Sequence, residues 1–364
     1  MREINALVTV DGRYVGKVPL FAVESPWWAQ VEEVTAHLDE ALGVPTSVLR
    51  LIEGTGTGTR DGIATYQVEA YGTPNPAALE KNGEHHEFPD TPLRLPWAKP
   101  GGPTELIAWA DQHVTRTGPA VQVKTWNLSC VYRMPTDRGQ VWVKALPPFF
   151  AAEPTAIRLM SELDPTLVPR LIAAAPLRAL IADAPGTTCW ETAPAQIESI
   201  VPRLVRAQAA LAGERHPDVP QVPISSPEVP GSAKQADKLL ATGLPITLLH
   251  GDFHPGNWQS DGVTHQVLDW ADSHWGHPAL DAARLWTFLK PELRPLLAQV
   301  WTEAWLEQVP DSDPAAALDL AIPLVHVFNA IRYREFQANI EDSEQVYHAG
   351  DAEYEIRQAQ AALV

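Results

Sequence analysis

Residues 246–272 read ITLLHGDFHPGNWQSDGVTHQVLDWAD, and the rest of the chain is best read outward from them. Ile246, Leu248 and Leu249 lead into the polar stretch as a buried strand would, and Val267-Leu268 lead into Asp269 in the same way. Two short strands would carry Asp252, Asn257 and Asp269 to one edge. An Asp, an Asn five residues on and a second Asp twelve residues later are what phosphoryl transfer from a metal-bound nucleotide requires. One carboxylate accepts the proton of the acceptor hydroxyl. The amide and the second carboxylate offer hard oxygen ligands to a hard cation.

Two other readings of this stretch are weaker. His250-x-Asp252-x-His254, with His265, His274 and His277 nearby in sequence, contains zinc-ligand types, but Asn257 and the lack of sulfur ligands favour a hard cation. Turn-capping accounts for an isolated Asp or Asn in a loop, but not for Asn257 and Asp269 together at this spacing.

Composition narrows the field. The chain has 364 residues, 45% hydrophobic and 20% charged, with two cysteines, Cys130 and Cys189. That is an ordinary globular balance without the means for a disulfide framework. No run approaches the ~18 consecutive apolar residues of a membrane span. Glu3 stands where a signal peptide would be basic, so a reducing cytoplasm is the expected setting. Net charge is −18, and residues 241–364, with 18 acids against 6 Arg or Lys, carry −12 of it. Such a surface repels a phosphate backbone, so no nucleic-acid partner is expected. It either attracts a cationic small molecule or simply keeps the protein soluble.

Upstream, strand-like VQVKTW (121–126), VYRM (131–134) and VWVKALP (141–147) precede a helix over roughly 150–162. Strand-like RLIAAAP and RALIADAPG then close a small lobe at Gly186. Val141-Trp142-Val143-Lys144 is a strand ending in Lys, with Glu153 nine residues later on the inserted helix. A Lys–Glu pair of this kind would hold nucleotide phosphates. From residue 191 the pattern is helical, over 194–213, 235–242, 278–289, 291–308 and 314–340.

HGDFHPGN, VLDWAD and GHPALDAARLW together resemble the aminoglycoside phosphotransferase / choline kinase-like family, across roughly residues 105–340. The resemblance implies an α+β, bilobal protein-kinase-like fold, with a small β-rich N-lobe at 104–186 and a helical C-lobe at 187–364. It implies that Asp252 is the catalytic base, that His250 orients the loop and that Asn257 and Asp269 bind Mg²⁺. Asp281 would pin the loop to the following helix. The donor would be ATP, with GTP left open. There is no GxGxxG loop. The turn in TWNLSCV takes its place, with Ser129 as the candidate phosphate contact. ALIADAPG matches the hinge between lobes, which sets adenine against the carbonyl of Ala182 and the N–H of Ala184, with Ile181 behind the ring. Acceptor recognition falls to the later helices, with Asp272, Tyr333, Glu335 and Asn339 as candidates. Trp258, Trp270, Trp275 and Trp286 are expected mostly in the core.

The expected activity is therefore transfer of the γ-phosphate of ATP to a hydroxyl of an aminoglycoside, amino sugar or similar amino alcohol. The alternatives are a neutral-sugar kinase of the same fold and a non-catalytic nucleotide-binding regulator. Intact Lys144, Asp252, Asn257 and Asp269 speak against the regulator.

Before this region, residues 1–95 read as a small α/β appendage. Strands over ALVTV and YVGKVPLFAV meet at Asp11-Gly12, a helix spans roughly Trp27 to Leu42, and strands follow at Ser47–Glu53 and Ala64–Ala70. The segment is similar to a Nudix-type domain in its acidic, Gly-terminated helix. It offers His37-Leu38 and Glu40-Ala41 where that family has its metal-binding glutamates, so no pyrophosphohydrolase activity is expected. Residues 72–103, with seven prolines, read as a linker in which His85-His86, beside Glu84 and Glu87, is a surface pair.

Overall fold

The computed structural model describes residues 2–56, 58–80 and 85–363. Glu84 lies outside them. Contacts divide the chain into two units. The first runs to Pro147 and takes in Leu177–Ile181 and Phe336–Ala349; the second holds Pro148–Pro176, Ala182–Glu335 and the segment from Gly350.

In the first unit, the hairpin of β1 (Arg2–Val10) and β2 (Arg13–Val23) turns at Asp11 and Gly12, both at positive φ. That suits the right-handed twist of the strands. Helix α1 (Glu32–Leu42) begins five residues later than the expected start near Trp27. Trp28 is withdrawn into the core instead, its Nε1 donating to the Asp61 carbonyl at 2.8 Å. With β3 (Thr46–Gly54) and β4 (Ile63–Ala70) the sheet order is β2-β1-β4-β3, and β1 and β4 run parallel. Ile4, Val8, Leu38, Val68 and Trp28 form one core, to which Tyr347 from the distant C-terminal segment also belongs.

After α2 (Gly102–Ala110) come the antiparallel strands β5 (Val121–Trp126), β6 (Ser129–Thr136) and β7 (Gly139–Ala145). The appendage and these strands share one interior. The buried Gln122 side chain accepts from Val48 N–H at 2.8 Å and donates to the Val48 carbonyl at 2.9 Å, so an amide completes two backbone groups. Tyr132 Oη donates to Ser47 Oγ at 2.8 Å.

The second unit contains α3 (Glu153–Leu163) and β8 (Leu171–Ala175). After β9 (Arg178–Ala182), which ends where this unit resumes, come β10 (Thr187–Thr188), α4 (Pro194–Ala210) and α5 (Ser232–Leu240). The decisive stretch holds three strands rather than two, β11 (Thr247–Leu249), β12 (Trp258–Ser260) and β13 (His265–Val267), and β14 (His274–Gly276) follows directly. Each is three residues long, too short for period-two alternation to register. β11 pairs with β14, and β12 lies between β10 and β13. Helices α6 (Ala279–Phe288), α7 (Arg294–Gln308), α8 (Pro314–Asn339) and α9 (Asp351–Ala362) follow. α8 is long and apolar enough to cross a membrane by length and composition, but 61% of its most apolar stretch is buried inside the protein. Trp258, Trp270 and Trp275 are core residues as expected.

The C-terminal segment of the first unit includes a 3₁₀ stretch, Asp342–His348. Glu341 accepts from Arg50 at 2.5 Å and from Arg94 at 3.3 Å, and Glu344 accepts from Leu51 N–H at 3.2 Å. Burial pushes the Glu344 carboxyl up to about 8, with Glu341 adding to the shift and Leu51 N–H and Arg50 opposing it. Between about pH 5 and 8 the folded chain keeps a proton that the unfolded chain releases, so this group makes stability fall as pH rises. Glu344→Gln is expected to flatten that slope: urea midpoints at pH 5.5 and 8 should differ less in the variant than in the wild type.

Candidate active site

The loop after β11 has no regular hydrogen-bonding partner, so its buried backbone N–H groups must be satisfied by side chains. Asp281, in the first turn of α6, does this. Its Oδ2 accepts from His250 N–H at 2.9 Å and its Oδ1 from Gly251 N–H at 2.9 Å. Gln208 of α4 adds a third donor to Oδ2 at 2.8 Å. Burial pushes the Asp281 carboxyl up, against these N–H groups. Gly251 sits at φ +86°, and a Cβ there would lie 2.2 Å from the Asp272 carbonyl oxygen. Only glycine allows this approach. His250 locks the other side of the loop: Nε2 donates to the Leu268 carbonyl at 2.8 Å, and Nδ1 accepts from Asp252 N–H at 3.2 Å.

The half-buried Asp252 carboxylate is surrounded by donors. Arg284 reaches Oδ1 through Nε at 2.9 Å and Nη2 at 2.8 Å. On Oδ2, Asn257 Nδ2 stands at 3.3 Å and His254 Nε2 at 3.3 Å. Burial alone would raise this carboxyl, but Arg284 and His254 outweigh it and hold it well below the usual carboxylate range. Asn257 Nδ2 also donates to the Asp252 carbonyl at 3.0 Å. With Nδ2 so committed, Oδ1 is the atom that Asn257 would offer a cation.

Asp269 follows β13 in the left-handed region, at φ 59° and ψ 65°. Asp is one of the few non-glycine residue types that adopt this region readily. Asp252 and Asp269 both lie near enough to Asp272 to raise its carboxyl further than burial already does, while Arg332 opposes them. Asp252, the carboxylate contacted by the Asn257 amide, and Asp269 thus share one electrostatic neighbourhood with Asp272. Among the described residues no group of three or more His, Cys, Asp or Glu is placed to hold a metal ion. An amide and one or two carboxylates suit Mg²⁺, which takes a few protein oxygens and fills its octahedron with phosphate oxygens and water.

The other sequence candidates divide between the units. In the first, Lys144 is buried near the end of β7. Ser129 opens β6 after a two-residue turn, and its buried Oγ accepts from Trp126 Nε1 at 3.2 Å. Asn339 ends α8 and is counted with this unit. In the second, Glu153 is buried at the start of α3. Ala182 N–H donates to the Arg170 carbonyl at 2.9 Å, and the Ala184 carbonyl accepts from Gln259 Nε2 at 2.9 Å. Gly186 lies so close to Ser260 that a Cβ would meet its carbonyl oxygen at 1.9 Å. Asp272 and Glu335 converge on one guanidinium, Arg332, with Asp272 Oδ1 at 2.9 Å from Nε and Glu335 on Nη1. Tyr333 lies in the field of Arg284 and Asp252; burial raises its hydroxyl.

Arg284 and His254 are the two residues around Asp252 to which the sequence reading gave no role. Arg284 falls three residues after Asp281, on the same face of a helix. That spacing was the available signal.

Residues 222–318 match the profile of the phosphotransferase enzyme family. The matched stretch runs from before α5 into the start of α8 and contains Asp252, Asn257, Asp269, Asp281 and Arg284. By that match this segment of the chain is similar to a phosphotransferase's. Similar solved structures include an amicoumacin kinase in complex with AMP-PNP and Ca²⁺, 14% identical, covering 70% of this chain and 93% of that one, TM-score 0.49. A macrolide 2'-phosphotransferase from Brachybacterium faecium is 16% identical, covering 68% and 97%, TM-score 0.48. A choline/ethanolamine kinase family protein from Mesorhizobium loti is 15% identical, covering 68% and 93%, TM-score 0.47. No curated protein matches the chain.

Asp281→Ala would leave two buried N–H groups without a partner, at about 1–3 kcal/mol each. The variant is expected to lose stability of that order in guanidinium unfolding, together with most of its turnover.

Proposed function

We propose that this protein transfers the γ-phosphoryl group of ATP to a hydroxyl of a small, cationic acceptor, an aminoglycoside, an amino sugar or a related amino alcohol. The observation that carries the reading is the Asp252 carboxylate, fixed on a pinned loop beside Asn257 and Asp269. Asp252 takes the proton as the acceptor O–H bond breaks. The acceptor oxygen bonds to the γ-phosphorus as the bond to the bridging oxygen of ADP breaks, so charge and atoms balance. A depressed carboxyl is a weak base, which suits a loose transition state in which the proton leaves late. Asn257 and Asp269 are the residues that would hold Mg²⁺, which would offset the charge developing on the leaving phosphate. Lys144 and Glu153 would serve the remaining phosphates, and the chain around Ala182 and Ala184 the adenine. The cationic acceptor is supported by the −12 balance of residues 241–364.

The test is acceptor-dependent ADP release with Mg²⁺ and ATP over choline, ethanolamine, glucosamine and kanamycin, with glucose and glycerol as neutral counterparts. Asp252→Asn is expected to bind nucleotide normally and to turn over ~10²–10⁴-fold more slowly, the usual worth of a positioned general base. Asn257→Ala and Asp269→Ala should instead weaken Mg²⁺-dependent ATP binding in calorimetry, each having lost an oxygen ligand. A charged acceptor should show a KM that climbs with salt between ~0.05 and ~0.5 M as the Debye length contracts. A neutral sugar as best acceptor with a flat salt profile would remove the electrostatic part of the proposal.

A further inference from the structure

Three residues on one face of α6, at positions i, i+3 and i+7, meet the proposed catalytic loop in order along its length. Asp281 holds the backbone at His250 and Gly251. Arg284 holds the Asp252 carboxylate. Phe288 stacks on His254, ring centroids 4.4 Å apart and planes 18° from parallel. The Arg284 guanidinium itself lies 4.7 Å from the centre of the Phe288 ring, one turn on. A guanidinium with an ion pair at its tip and an aromatic face against it is confined in both directions.

The geometry points to Arg284 as the positioning residue of the catalytic aspartate, an inference that rests on reading Asp252 as the proton acceptor. Its two N–H groups converge on Oδ1 at 2.8 and 2.9 Å. The donors on Oδ2 stand off at 3.3 Å. The short contacts fix the rotation of the carboxylate. The long ones, from Asn257 and His254, are those an acceptor hydroxyl can displace. Oδ2 is thus the oxygen turned toward the acceptor, and Arg284 is what keeps it turned. Arg284 acts through Asp252 and touches no reacting atom. Its removal therefore costs turnover and not nucleotide affinity.

The experiment compares wild type, Arg284→Ala, Arg284→Lys and Asp252→Asn as full-length chains with Mg²⁺ and ATP. The readouts are transfer to whichever compound of the panel reacts and the slow ATP hydrolysis in which water replaces the acceptor. Arg284→Ala is expected to lower kcat about 10–100-fold, the scale of a misplaced catalytic group, with KM for ATP unchanged. Added methylguanidinium should restore part of that rate. Arg284→Lys, which keeps the charge and loses the fork, should also fall below wild type, and it carries the test if Arg284→Ala fails to fold in thermal unfolding. A kcat equal to or above wild type in either variant overturns the inference, as does a loss confined to KM for ATP. A loss of kcat that methylguanidinium leaves untouched, with a matching fall in melting temperature, assigns Arg284 to the scaffold and also overturns it. If Asp252→Asn is inactive while the Arg284 variants are intact, the kinase reading stands and only the positioning role falls. If Asp252→Asn matches wild type, or wild type neither transfers nor hydrolyses, the kinase reading falls and takes this inference with it.

Discussion

One buried carboxylate fixes the geometry on which the site depends. The segment from His250 to Asn257 follows a three-residue strand and is irregular backbone in a buried place. Such a segment holds a single conformation only if its polar groups are answered. Asp281 answers two consecutive N–H groups and is itself steadied by Gln208 from another helix. Gly251 makes the arrangement possible by letting the chain pass within contact distance of the Asp272 carbonyl. Once those two residues are fixed, the direction of Asp252 follows, because its N–H is bound to His250 and His250 is bound to Leu268. The loop before β12 and the segment after β13 are thereby tied together, and that tie brings Asp252 and Asp269 near each other.

The cost of this convergence is electrostatic. Asp252 and Asp269 each push the Asp272 carboxyl further up than its burial does, so like charges in this region repel. The chain meets this with two arginines from different helices: Arg284 on Asp252, and Arg332 on Asp272. Each guanidinium lies against a phenylalanine, Phe288 and Phe150 respectively. Asp269 carries its strain in the backbone, in a conformation that β-branched or bulky residues would resist. The pairing also changes how the acidity of this region is to be understood. Asp272 and Glu335 both end on Arg332, so neither is an isolated anion. The net negative balance acts as a field of the whole surface more than as two named ammonium ligands.

What the sequence made legible follows from range. The strands of the small lobe and the long helices carry their own periodicity, and their limits in the structure lie within a few residues of those expected. The loop from His250 to Asn257 was legible because its chemically distinctive residues sit in one short run with fixed spacing. The four short strands around it were not, since three residues cannot show alternation. Arg284 was passed over because its partner lies thirty-two positions away; only the helical phase shared with Asp281 connects them. The late start of α1 has the same character, as Trp28 reads as the first apolar position of a helix and is instead drawn into the core by the Asp61 carbonyl. The contribution of Tyr347 to that core could not be read from pattern at all, because pairing across some three hundred residues leaves no local trace.

The first unit shows how a tight hairpin can be made rigid without a glycine-rich loop. The turn between β5 and β6 has only Asn127 and Leu128 at its tip, both buried. Asn127 Nδ2 meets His348 Nε2 at 3.1 Å, and Trp126 lies against Tyr347 and His348. Those partners come from the far end of the chain, and the 3₁₀ segment that bears them is held in turn by Arg50 and Leu51 of β3 through Glu341 and Glu344. The opposite end of β5 is fastened to β3 by the Gln122 amide. The α/β segment at the start of the chain is thus the surface on which both a strand and a distant C-terminal turn are seated. A hairpin of two residues, closed over Trp126 and Ser129, needs such a seat, because an isolated pair of strands is marginal in water. The buried Gln122 amide, paired through both its oxygen and its nitrogen, and Asn127, paired through Nδ2, are costly to desolvate, and their contacts tie the hairpin to its neighbours.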